Sequence, residues 1–388
     1  MRVTAVDIAR QAQVSVGTVS RVLNGHPSVG EDISLRVRQV VEAMQYKPLR
    51  RRLKASGSAG GSFAGRPGGA TGSTAERPVS RSSSLSRRNL AVVMLGMDRS
   101  LELLPVVASA LHGAERSITN FGANLLLADS PDLQRAPAWL GQEQIEGVIL
   151  KGALQGRAIA ETHSPLLHAL RRLPSVWLLG RPAGAWGDVV GPDDFQIGQM
   201  AAGYLVDRGH RRIALVNPKP GHVTFSRREA GLAFEAERRG GRVMSYVPPD
   251  VGDWPIPLEP VRNIESVQAL VDRVLAEPEA SRATTIFCPA DSIVVLVYRA
   301  LSARGVVVGR DISVMSANNE VSLTSGLYPS LVTIDVRARA IGKLAVEQLI
   351  WRIANREGPD APPVDLRVQP ELVPGDSVRD LRDVSGGV

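Results

Sequence analysis

Between positions 14 and 21 the chain reads Val-Ser-Val-Gly-Thr-Val-Ser-Arg. The hydroxyls of Thr18 and Ser20, the Arg21 guanidinium and the small surfaces of Val16 and Gly17 are groups that touch base edges and phosphates when one helix presents them. Arg50, Arg51, Arg52 and Lys54 form the densest cationic patch. Such a run is a solvated linker by one reading and a phosphate contact by another, and its place behind a DNA-facing helix favours phosphate. Catalytic patterns are missing. There is no GxxxxGK-S/T loop, no GxGxxG between a strand and a helix, and no HExxH. The single cysteine, Cys288, builds neither a disulfide nor a CxxC zinc site and reads as a buried strand-end residue. Six histidines are scattered, and His210 in RGHRR reads as a turn or cap. The expectation is a non-enzyme without cofactor or metal.

Two short helices must position the Val16–Arg21 group. Thr4 caps the first, with Asp7 three residues on as a short-armed capping box. Val6, Ile8, Ala9 and Ala12 supply its buried side, and Gln13-Val14 makes the turn. Ser15 caps the second, in which Val19, Val22 and Leu23 face inward at helical spacing. The pattern is a helix-turn-helix, although a plain helical hairpin shares it.

Charge follows the same division. Lys and Arg exceed Asp and Glu by six up to Lys54 and by four over 55–88, whereas the remainder carries a deficit of three. A basic arm on a near-neutral body suits DNA binding. The hydrophobic share of 44% fills globular cores, no apolar run approaches a membrane span, and the chain starts without a signal-peptide pattern. The cytoplasm is the expected compartment.

The wording of residues 4–48 is more specific than its pattern. VDIARQAQVSVGTVSRVLNG, then Val29, Val37, Met44 and QYKP, closely resembles the DNA-binding domain of the lactose/galactose repressor (LacI/GalR) family. The resemblance implies a third helix over about 31–44 and a hinge after Tyr46-Lys47-Pro48. It places Val16 and Gly17 at the two positions that most determine operator choice. Thr18, Ser20, Arg21 and Asn24 fall at positions that contact bases or phosphates. Valine and glycine offer no side-chain hydrogen bonds, so discrimination there rests on apolar contact and close approach, with Arg21 left as the best polar contact. Gln13 and Ile33-Ser34 depart from the family wording.

Residues 55–88 are rich in Gly, Ser, Pro and Arg, with almost nothing to bury, which predicts a flexible segment much longer than the family's connection. In the family a hinge-helix leucine opens the minor groove at the operator centre. Here Ala55 takes that position, with Leu53 two residues earlier. A hinge helix over 49–55 with Leu53 as the wedge, and a tether that uncouples head from body, both stay open.

From Leu90 onward apolar runs alternate with amphipathic stretches. Strand-like runs begin at Leu90, Asn124, Gly147 (GVILK), Ser175, Arg212, Val243, Thr284, Ile312 and Leu331 (LVTID). Helices are expected over 197–207, 227–239, 266–276 and 292–304. Repeated βα units imply parallel sheets covered by helices, and their number suits two lobes with a cleft between them. IEGVIL, YLVDRGHRRIALV, DISVMSANN, PSLVTI and PELVPGDSV resemble the same family throughout this region.

The resemblance therefore implies an N-terminal all-α helix-turn-helix DNA-binding domain and an α/β periplasmic-binding-protein-like body of two Rossmann-like lobes. The expected layout is a head over 1–55, a linker over 56–88, and an effector-binding and dimerisation body over 89–388. Its partners would be double-stranded operator DNA, a small effector such as a sugar, and a second copy, with pairing of dimers into tetramers open. Matching motifs nominate Asp193, Arg228, Asp291 and Asn318 for the effector. Ala290 and Asn318 replace the family's usual asparagine and aspartate, which weakens the case for an ordinary neutral sugar. Asp193 and Asp291 also read as helix N-caps, and Trp177, Trp186 and Trp254 as core residues or stacking faces. The expected function is an effector-controlled regulator, by default a repressor released by inducer. The alternative is a small-molecule-binding protein with a vestigial or effector-independent head.

Overall fold

The structure, a computed structural model, describes residues 11–12, 14, 18, 22, 30–44, 88–98, 100, 104–137, 140, 144–155, 158–249, 256–258, 264–355 and 362–382. The chain divides into two compact units, Met1–Arg77 and Pro78–Val388.

In the first unit, helix α1 (Glu31–Ala43) stands where a third helix is expected. Ala12, Val22 and Val37 are buried together, and Val14, Ile33, Val40, Val41 and Met44 pack around them. Ala12 and Val22 are the side chains that the helical spacing assigns inward. Ile33, a departure from the family wording, joins this small core. Thr18 is helical and half-buried. Thr4, Ser15, Val16, Gly17, Ser20, Arg21, Asn24, Arg50 and Leu53, with the hinge and nearly all of the linker, lie outside the described residues.

The second unit holds two parallel sheets. The first has the order β11-β5-β4-β3-β1-β2, from β1 (Asn89–Leu95), β2 (Asn124–Ser130), β3 (Ile145–Gly152), β4 (Ser175–Leu178), β5 (Asp188–Pro192) and β11 (Asp365–Val368). Every neighbouring pair in it is parallel. Leu90 to Leu95 are all buried, as an unbroken apolar run must be in a sheet covered on both faces. Helices α2 (Pro105–Phe121) and α8 (Ala338–Ala354) pack on each other, with α8 against β3, β4 and β5. The short α3 (Pro165–Arg171) is capped by Ser164, which accepts from Leu167 N–H at 3.0 Å.

The second sheet runs β7-β6-β8-β9, again parallel, from β6 (Arg212–Val216), β7 (Arg242–Tyr246), β8 (Thr285–Phe287) and β9 (Ser313–Met315). Successive strand residues face opposite sides. Ile213 and Leu215 of β6 accordingly join the core containing α4 (Asp194–Asp207) and α5 (Val223–Arg238). Ala214 and Val216 join the core containing α6 (Ile264–Ala276) and α7 (Asp291–Ser302). Helices thus cover both faces, and α4 to α7 match the four expected helices.

One strand has a partner that was not expected. LVTID runs parallel beside β9 through bridges between Met315 and Val332 and between Asn318 and Asp335, and its strand β10 (Thr333–Asp335) also pairs antiparallel with β12 (Glu371–Val373). The reason is topological, since the chain passes between the lobes there. It also passes from β5 to α4, and after β12 it returns to the second lobe, where Val314 N–H donates to the Ser377 carbonyl at 2.9 Å.

His210 is fully buried at the turn between α4 and β6. Its Nδ1 lies 2.8 Å from Thr284 Oγ1 and its Nε2 3.1 Å from the Arg379 carbonyl, so it ties the C-terminal segment to the second lobe. The carbonyl requires a proton on Nε2, which leaves Nδ1 to accept from the hydroxyl. Burial pushes this imidazole down to about 4 from 6.5. The unfolded chain therefore binds more protons between those values. The stability contributed by His210 is full above pH 6.5 and falls by roughly 3 kcal/mol as the pH drops through 4. Denaturant unfolding of wild type and His210→Gln at pH 7 and pH 5 should show the wild-type advantage shrinking at pH 5.

Candidate functional site

The C-terminal ends of parallel strands place loops where open α/β sheets bind ligands. In the second unit these ends from both lobes line one cavity of about 180 Å³. The first lobe supplies Lys151 at the end of β3, Gln155 just beyond it, Leu179 after β4 and Pro192 at the end of β5. The second supplies Lys219 and His222 from the β6–α5 connection, Phe225 and Arg228 from α5, Ala290 and Ile293 around the start of α7, and Asn318 and Glu320 after β9.

A polar chain runs along one side. Arg228 donates through Nε to Asp194 Oδ1 at 3.0 Å, and through Nη1 to the Pro289 carbonyl at 2.5 Å and to Asn318 Oδ1 at 3.0 Å. Both ion-pair side chains are only 3% exposed. Asn318 Nδ2 donates to Glu320 Oε2 at 3.2 Å, and Glu320 Oε1 accepts from Val106 N–H at 3.2 Å. Val106 lies in the first turn of α2, where free N–H groups favour a carboxylate. Glu320 thus joins the two lobes. Burial pushes the Asp194 carboxyl up to about 6 against the pull of Arg228, and raises Glu320 as well.

Asn318 and Asn319 both have positive φ, 118° and 58°, a conformation that asparagine tolerates better than most residues. Asp291 pins this turn. Its Oδ2 accepts from Glu320 N–H at 2.6 Å, and its Oδ1 from the Ser316 hydroxyl and from Thr333 Oγ1 at 2.9 Å.

Of the four residues nominated for the effector, the structure brings Arg228 and Asn318 together on the cavity wall. Asp193 and Asp291 are placed differently. Asp193 caps α4, accepting from Gln196 N–H at 3.0 Å, and does not line the cavity. Asp291 is fully buried and spends its oxygens on the 316–320 turn and β10. Asp194, one residue on, is the aspartate that meets Arg228. Trp177 is fully buried, with Nε1 donating to the Trp186 carbonyl at 2.5 Å, and is no stacking face. Trp254 lies outside the described residues.

Other residues of the lining are cationic and were not singled out in the sequence. Lys151 and Gln155 are 6% and 3% exposed. Lys151 Nζ donates to the Gly152 carbonyl at 3.0 Å. Burial, then the neighbouring Lys219 charge, brings Lys151 down to about 8, and burial brings Lys219 to about 8. His222 stacks on Phe225 with ring centroids 4.1 Å apart. It is held well below its usual value by burial, then by Lys151, Lys219 and Arg228. The available signal was a charge at the C-terminal end of an apolar strand, as in GVILK.

Comparison with known proteins agrees with both units. Residues 4–48 match the family of bacterial regulatory proteins of lacI type, and residues 202–378 match the periplasmic binding protein-like domain. The HTH-type transcriptional repressor PurR of Aliivibrio fischeri (strain MJ11) is 26% identical over 381 residues, covering 97% of this chain and 98% of that protein. The ribose operon repressor of Escherichia coli (strain K12) is 25% identical over 359 residues, covering 91% and 93%. Among solved structures, the transcriptional regulator CelR in complex with cellobiose aligns with a TM-score of 0.58 at 20% identity, covering 97% of this chain and 100% of that one. The lac repressor dimer bound to operator and an anti-inducer aligns with a TM-score of 0.58 at 18% identity, covering 98% and 100%. Together these show a lacI-type helix-turn-helix head and a periplasmic-binding-protein-like body, the two parts of the lacI-type transcriptional repressors that the chain resembles along nearly its whole length.

Proposed function

We propose that this protein is a homodimeric cytoplasmic repressor, not an enzyme, whose operator affinity changes when a small metabolite enters the cleft between the lobes. The observation that carries the reading is the cavity, walled by strand ends of both lobes and bridged by Glu320, in a chain that begins with a lacI-type head. A ligand that touches both lobes binds their closed arrangement more tightly, and it shifts the heads only by that difference in affinity. Val16, Gly17, Thr18, Ser20, Arg21 and Asn24 would read the operator, with Thr4 and Ser15 capping the helices and Arg50 and Leu53 beside the groove. Arg228 and Asn318 would hold the effector.

Dimerisation is supported by β2, which ends its sheet with Leu125 and Leu127 exposed. An edge strand carrying exposed leucines is a pairing surface. Two heads on one dimer axis raise each other's effective concentration on a palindromic site. The test begins with selection of duplexes from a random DNA pool by the full chain. Arg21→Ala should then weaken the selected duplex by roughly 10-fold or more. Unchanged affinity would favour the vestigial head.

A further inference from the structure

Resting on the effector-cleft reading above, we propose that the natural ligand is a small anion, a metabolite bearing a carboxylate or a phosphate monoester, seated with its charged group among Lys151, Gln155, Lys219 and His222. Four observations converge on that end of the cavity. Two ammonium groups line it, and among the described residues no carboxylate pairs with either. Among the described residues, the buried Gln155 amide has neither its oxygen nor its nitrogen hydrogen-bonded, and the buried His222 Nδ1 is likewise without a partner. Gln155 and His222 sit opposite one another on a backbone bridge between the lobes, where Val223 N–H donates to the Leu154 carbonyl at 2.9 Å. Helix α5 starts here, at His222, with no side chain capping it, so its positive end faces the same space.

The Arg228–Asn318–Glu320 chain makes the contrast. Arg228 is already matched by Asp194, and Glu320 adds a carboxylate beside Asn318, so these residues carry no surplus positive charge. Burying Lys151 and half-burying Lys219 with no counter-ion among the described residues is costly, as is leaving a buried amide unpaired. A carboxylate or phosphate satisfies all of these groups at once, because it accepts several charge-assisted hydrogen bonds. A neutral sugar leaves both cations uncompensated. Size narrows the class further, since 180 Å³ is the liquid volume of roughly six waters. That admits a single small metabolite and excludes an oligosaccharide.

The experiment uses the full chain and matched probes: ribose against ribose 5-phosphate, glucose against gluconate, and inorganic phosphate and acetate as free-anion controls. Binding is read by calorimetry and by thermal shift. The expected result is stabilisation by anionic members only, with Lys151→Met weakening them roughly 10- to 100-fold. Unliganded Lys151→Met should melt no lower than wild type, because it removes an unpaired buried charge; this separates lost binding from lost folding. Gluconate without ribose 5-phosphate assigns the carboxylate source, and the reverse assigns the phosphate. Equal binding of neutral and charged partners, or no binding of any anionic probe at millimolar concentration, overturns the proposal. So does Lys151→Met binding the anions as well as wild type. The effector switch fails separately: an anion that binds tightly yet leaves DNA affinity unchanged supports this site and contradicts the switch.

Discussion

Gly342→Val is expected to cost about 3 kcal/mol or more and to lower the melting temperature by roughly 6–10 °C. Helices α2 and α8 cross where each presents a glycine to the other's backbone. A Cβ on Gly342 would lie 1.8 Å from the Ala110 carbonyl oxygen, and one on Gly113 would lie 2.1 Å from that of Arg339. Backbone cannot swing aside as a long side chain can, so the helices must separate. Separation would pull Ile341, Ala345 and Leu349, all fully buried, out of the first-lobe core. The same device recurs between α4 and α5, where a Cβ on Gly198 would lie 2.0 Å from the Arg228 carbonyl oxygen and one on Gly231 2.0 Å from that of Phe195. Gly326→Ala is the control, because an added Cβ there meets nothing within 4 Å. It should change stability by less than about 0.5 kcal/mol. A Gly342→Val protein that melts like wild type would contradict this helix crossing.

Arg228→Met should lower stability by roughly 3–5 kcal/mol at pH 8 and abolish ligand binding in the cleft. The substitution keeps side-chain bulk but leaves the Asp194 carboxylate buried without its partner, and it frees the Pro289 carbonyl and the Asn318 amide oxygen. The pH dependence has a definite sign. Burial already raises Asp194 to about 6 from 3.8 in the folded chain, and losing the guanidinium raises it further. The folded state of the variant therefore binds the extra proton, and its deficit relative to wild type shrinks as the pH falls from 8 toward about 6, below which Asp194 is protonated in both proteins. Adding Asp194→Asn should recover part of the loss at pH 8 and little at pH 5. Denaturant unfolding of the two single variants and the double variant at both pH values checks this. Independent, additive effects would show that the pair does not act as a unit.

Much of the body was legible because parallel strands buried on both faces read as apolar runs, as LAVVML and RIALV do. Strands β5, β11 and β12 escaped notice for the converse reason. DVVGP carries glycine and proline, DLRV is charged, and ELV is short. The antiparallel pairing of β10 was hidden because a strand's sequence does not encode which partner a lobe crossing brings beside it. In the site, Arg228 and Asn318 were found through motif wording. Asp193 and Asp291 were drawn by the same wording into roles that the geometry gives to helix capping and to the 316–320 turn. Lys151, Gln155, Lys219 and His222 come from separate strand ends. They meet only because two sheets face each other, and no sequence spacing records that. In the small core, Ala12 and Val22 followed directly from helical periodicity, whereas Val37 entered through the family wording.

The central claim is that a ligand in the cleft controls the grip of the head on DNA. Its most direct test is the affinity of the full chain for its selected duplex, with and without saturating cleft ligand, at fixed salt. The expected result is a change of at least about fivefold, the lower end of allosteric coupling, that disappears in Arg228→Met at concentrations where that variant is folded. Unchanged DNA affinity with the cleft demonstrably full would contradict the account.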